Sequence, residues 1–156
     1  MRRVVINMYS CCFIGHKNCP KTIEATLLDN LERLITECSV TTFYVGTQGS
    51  FDRLVYNSLC YFETLYKINI KVILAYLNKE NNETYYDMKK TFFPDELTNT
   101  PPRFAIRKRN SYMINKSDFV VTFLNDSLSN TYTNVEEAKR KNKIIINIGD
   151  YDIKKI

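Results

Sequence analysis

Short apolar runs alternate along this chain with stretches of helical periodicity, and that alternation admits few folds other than a parallel α/β sheet. Residues 9–14 (YSCCFI) read as a buried first strand, and 21–38 follow with Ile23, Leu27, Leu28, Leu31, Leu34 and Ile35 at helical spacing. Residues 42–45 make a short second strand; after the turn at 46–52, a helix over 51–66 carries Leu54, Val55, Leu59, Phe62 and Leu65 inward. The run 70–76 (IKVILAY) is a third strand, apolar enough to be covered on both faces. A helix over 106–116, a strand over 118–124, a helix over 131–141 and a strand over 143–148 complete the pattern. The expected fold is a Rossmann-like, doubly wound, mostly parallel sheet of about five strands with helices on both faces.

With 156 residues, 44% of them apolar, the chain suits one domain over 1–156 with a sizeable core. Residues 78–102 break the rhythm with Asn81-Asn82, Tyr85-Tyr86, Phe92-Phe93 and prolines in a polar setting. A stretch this long is either a short helix with irregular chain or a lid over a ligand. Tyr85, Tyr86, Phe92 and Phe93 would be a stacking platform under a lid, and otherwise a satellite core or a surface for pairing of copies.

No run of about eighteen apolar residues and no cleavable leader pattern is visible, so a cytoplasmic protein that does not span a membrane is expected. The five cysteines are odd in number and lack a C-x-x-C pair, which fits reduced thiols better than a disulfide framework or a zinc ribbon. Cys11 and Cys12 point to opposite faces of a strand and cannot easily share one ion with His16 and Cys19. No metal and no cofactor is expected.

The formal charge is +5, with basic residues gathered at 103–109, at 139–143 and at the end of the chain. No helix-turn-helix, zinc-finger or RNP-type aromatic signature accompanies them, so polymeric nucleic acid is disfavoured as a partner. A solvated face, or a pocket tuned for small anions, is the expected use of the excess.

In an open parallel sheet, ligands bind outside the carboxyl ends of the strands, near the point where strand order reverses. Three strand exits carry polar, small or glycine residues: Gly15, His16 and Lys17 after the first strand, the turn with Gly46, Gln48, Gly49 and Asp52 after the second, and 125–133 with Ser129, Asn130, Thr131 and Thr133 after the fourth. Glycines let backbone amides approach a phosphate, and the helix N-termini beyond add partial positive charge. His16 could donate to a ligand or be a plain turn residue, and Asp52 could bind ribose or simply cap its helix. Asp118, at the entry of its strand, reads as scaffold that caps or braces the preceding helix.

CCFIGHK, the GTQGSFD turn and RNSYMINKSDFVV occur in the order of the corresponding blocks of the SLOG superfamily, and the chain resembles that superfamily's stand-alone bacterial members from Cys11 to about Ile148. The superfamily groups the LOG phosphoribohydrolases, relatives of DNA-processing protein A and molybdenum-cofactor carriers. The LOG enzymes carry an R-K-x-x-M block and a later P-G-G-x-G-T-x-x-E block. Arg109, Asn110 and Met113 fall on the first, with Asn110 in place of lysine; Ser129, Asn130, Tyr132, Thr133 and Glu136 fall on the second, without its three glycines.

The resemblance thus implies Arg109 and Glu136 as the catalytic pair of any nucleoside 5′-monophosphate N-glycosidase. Arg109 would grip the phosphate and Glu136 would orient water or stabilise the oxocarbenium-like charge. The plain alternatives are a solvated acid in the first turns of a helix and an exposed cation beside Arg107 and Lys108. Because catalysis demands placement to fractions of an ångström, the lost glycines favour binding over hydrolysis. The expected partner is a nucleotide or nucleotide-derived molecule, of ADP-ribose or cyclic type, with hydrolysis second and an interaction protein with a degenerate pocket third. Homo-oligomer formation is left open.

Overall fold

Burial of four consecutive residues, Cys11, Cys12, Phe13 and Ile14, places β1 (Tyr9–Gly15) at the covered centre of the sheet. In the computed structural model, which describes residues 7–77 and 84–156, six strands lie in the order β4-β3-β2-β1-β5-β6, and every neighbouring pair is parallel. The other strands are β2 (Val40–Val45), β3 (Asn69–Ile73), β4 (Thr91–Phe92), β5 (Phe119–Phe123) and β6 (Ile144–Asn147). The α/β, doubly wound architecture read from the sequence is the one observed, with six strands in place of about five. The added strand is β4, two residues long and too short to show a period.

Alternation along β1 divides the core. Cys11 and Phe13 pack with Leu27, Leu31 and Leu34 of α1 (Glu24–Thr36) and Val55 and Leu59 of α2 (Ser50–Glu63). Cys12 and Ile14 face the other way, onto Met113 and Ile114 of α3 (Pro102–Lys116) and Ala138 of α4 (Asn130–Arg140). The two helix pairs therefore cover opposite faces, as parallel crossovers require. The order reverses at β1, whose neighbours β2 and β5 are reached by chain running in opposite directions across the sheet.

Two boundaries depart from the sequence reading. The third strand ends at Ile73, although the Leu74 N–H still donates to the Phe92 carbonyl at 2.9 Å. Helix α3 starts at Pro102 rather than at 106: proline at the first helical position gives up an N–H that has no helical partner anyway. Of the proposed 78–102 lid, 78–83 lie outside the described residues. The remainder holds short 3-10 turns at Met88–Lys90 and Asp95–Leu97, β4, and the buried Tyr86 and Leu97.

Asp118 joins three elements. One of its carboxylate oxygens accepts the Ser10 N–H at 3.0 Å, and the Ser10 hydroxyl donates to the Lys116 carbonyl at 2.7 Å, tying the start of β5 to β1 and to the last turn of α3.

Candidate functional site

At the carboxyl ends of β1 and β5, next to the reversal of strand order, lies a cavity of about 340 Å³. Of the residues singled out in the sequence, Gly15, His16, Lys17, Gln48, Asp52, Arg109, Asn110, Ser129, Asn130 and Thr131 line it. Distant segments meet there because β1 delivers 15–17, the start of α2 delivers Asp52, α3 crosses with Arg109, and α4 begins at the rim.

Arg109 is 2% exposed and lies under Gly46, where an added Cβ would sit 2.6 Å from its Nη1. Its Nη1 donates to the Ile73 carbonyl at 3.2 Å and its Nε to Asn110 Oδ1 at 2.9 Å. Burial lowers the guanidinium pKa, against the countering charge of Asp52. The Asp52 carboxyl accepts the Gln48 N–H at 2.8 Å, yet burial raises its pKa to about 6, outweighing Arg109 and that N–H. Desolvation thus wins over mutual attraction on both members of the pair.

The rim is held by local chemistry. Gly49 caps α2 at φ 96°, a left-handed angle costly for other residues, and packs against the Lys17 backbone. The Ser50 N–H and hydroxyl both bond the Lys17 carbonyl, at 2.8 and 3.0 Å. His16 Nε2 accepts the Asn125 N–H at 2.8 Å, so the neutral ring carries its proton on Nδ1. Ser129 caps α4, its hydroxyl accepting the Tyr132 N–H at 3.3 Å, and the free N–H groups of that helix end supply partial positive charge.

The five remaining candidates lie outside its lining. Gly46 and Gly49 pack behind the site, against Arg109 and Lys17. Met113 is core beside α4, and Thr133 lines a second cavity of about 350 Å³. Glu136 lines neither cavity. It is therefore not among the residues that the structure sets around Arg109 in the cavity lining. Tyr85 stacks edge-on against Tyr56 and Tyr86, Phe92 lies against Tyr112, and Phe93 packs on the main core; none of them lines the cavity, although Tyr85 is close enough to Asp52 and Arg109 to interact with both charges.

The second cavity shares Ile106, Asn110, Asn130 and Asn134 with the first and adds Arg103, Phe104, Arg107 and Thr133, so the two lie side by side along the rim. Phe104 is 48% exposed, with the Arg103 guanidinium 4.6 Å from its ring centre. Sequence reasoning missed Asn134 and Phe104. Asparagine is a weak helix former, so Asn110 and Asn134 in helix interiors were the available signal for the first; placing the helix start at 106 hid the second. Among the described residues, no group of three or more His, Cys, Asp or Glu could hold a metal ion, and no helix is long and apolar enough to cross a membrane.

No protein-family model matches the chain, and no curated protein matches it. Among solved structures it is similar to DNA processing protein A from Helicobacter pylori, described for its unique single-stranded DNA binding mode, with a TM-score of 0.61 at 13% identity. The match covers 89% of this chain and 64% of that one, so the chain spans less than two thirds of its neighbour's length. At that identity the likeness establishes the fold, Rossmann-like. It also corrects two expectations from the sequence: a small nucleotide as the ligand, with mononucleotide hydrolysis behind it, and polymeric nucleic acid as a disfavoured partner. The neighbour with this fold binds a polymeric strand.

Proposed function

We propose that the chain is a single SLOG-type domain of the cytosol that binds single-stranded nucleic acid along the carboxyl rim of its sheet. The observation that carries this reading is the adjacency of the two cavities, which share four lining residues; taken together they make a groove with Lys17 in its first half and Arg103 and Arg107 in its second. Single-strand sites combine such a cationic track with aromatic faces on which any base can stack. Phe104 is the exposed aromatic residue along this track. The helix α4 N-terminus adds backbone donors for a phosphate, and the formal charge of +5 favours association with a polyanion. The order of the CCFIGHK, GTQGSFD and RNSYM blocks, together with the fold likeness, supports the SLOG assignment.

Fluorescence anisotropy with a labelled single strand of about twelve nucleotides tests the reading. Binding should weaken steeply with salt, and Arg103→Ala or Arg107→Ala should each flatten the log–log salt slope by about 0.7. Equal affinity for duplex DNA, or no binding at low salt, would overturn it.

A further inference from the structure

We infer that the junction of the two cavities reads the hydrogen-bonding edge of a nucleobase through the carboxamides of Asn110 and Asn134. This rests on the single-strand reading of the groove and adds which part of the strand is recognised there. Asn134 is 6% and Asn110 9% exposed, and both line both cavities. Because Arg109 Nε can only donate, its bond to Asn110 Oδ1 fixes that carboxamide and leaves the amide nitrogen as the group available to a ligand. No hydrogen bond among the described residues engages the Asn134 side chain. The sealed-in atoms without partners are those of Tyr85, Ser117 and Thr122, so the Asn134 carboxamide reaches the void.

Water in the cavity can serve the Asn134 carboxamide, and a ligand that displaces that water must supply bonds of its own or leave the group unpartnered at a cost. Phosphate supplies acceptors, which would leave the carboxamide oxygen of Asn134 unmet. A base edge presents donor and acceptor side by side, the pattern a carboxamide complements. Lys17 and the start of α4 serve the backbone; the asparagines, one turn deeper on α3 and α4, serve the base.

The test compares an oligothymidine strand with the same strand carrying difluorotoluene in place of thymine, which keeps shape and stacking and removes the hydrogen-bonding edge. Wild-type protein should bind the thymine strand about tenfold more tightly, the effect of one or two neutral hydrogen bonds. Asn134→Ala and the near-isosteric Asn134→Leu, neither of which can hydrogen-bond, should each lose most of that preference, with melting temperature confirming that at least one variant is folded. Equal binding of both strands by the wild type overturns the inference and leaves the groove reading standing, as does discrimination that persists in the variants. Failure of both strands to bind the wild type sinks both readings.

Discussion

Burial governs how Asp52 behaves. Its carboxyl is raised from 3.8 to about 6, so the folded chain holds that proton more tightly than the unfolded chain does. The contribution to stability is therefore full below the unfolded value and is lost as pH climbs through the folded one. A shift of this size corresponds to about 3 kcal/mol. Asp52→Asn removes the titration and can keep the acceptor for the Gln48 N–H. In urea unfolding its stability relative to wild type should rise by about 2–3 kcal/mol between about pH 4 and pH 7.5; a difference independent of pH would refute this account of the site's floor. Gly46 is the other sensitive position, for its closeness to Arg109 rather than its backbone angle. The guanidinium is anchored to the Ile73 carbonyl and cannot retreat without breaking that bond. Gly46→Ala should cost about 1–3 kcal/mol. In a double-mutant cycle part of that cost should vanish in an Arg109→Ala background, with a coupling above about 0.5 kcal/mol; strict additivity would show that the two do not press on each other.

Among the elements, α4 ties the fold to the site, since its first turn is both a structural end and the wall of the groove. Ser129→Ala should cost about 1 kcal/mol in thermal or urea unfolding and Ser129→Asp much less, because aspartate caps a helix as serine does; an unchanged alanine variant would mean that the cap contributes nothing. The strands β1, β3 and β5 were legible because each is a long apolar run, and α1 and α2 because their apolar residues recur every third or fourth position. Helix α3 was legible only in part: its inward face carries Arg109 and Asn110 beside Ala105, Met113 and Ile114, so it lacks a clean apolar stripe. Its first turn follows Pro101, where a proline pair reads as a break in helix as easily as a start. The strand exits showed where the cavity would lie, because small residues and helix N-termini announce close approach of backbone. The second half of the groove was not legible. Asn134 and Phe104 become neighbours of one cavity only through the packing of α3 on α4, a relation no local pattern encodes.

For the molecule as a whole, the order β4-β3-β2-β1-β5-β6 does the positioning: it places the exit of β1, the crossing of α3 and the start of α4 along one rim. The amino ends of the strands carry a different surface, with Tyr9, Asp118 and Lys143, where acid and base are interleaved. The proposed single strand lies along the first rim and not on the second. Amide shift mapping of 15N-labelled protein titrated with a single-stranded DNA of about twelve nucleotides tests that most directly. The shifts should cluster at residues 15–17, 103–110 and 129–134 and saturate together. Saturating shifts confined to the neighbourhood of Tyr9, Asp118 and Lys143, with the groove unmoved, would place the strand at the wrong end of the sheet and refute the proposal.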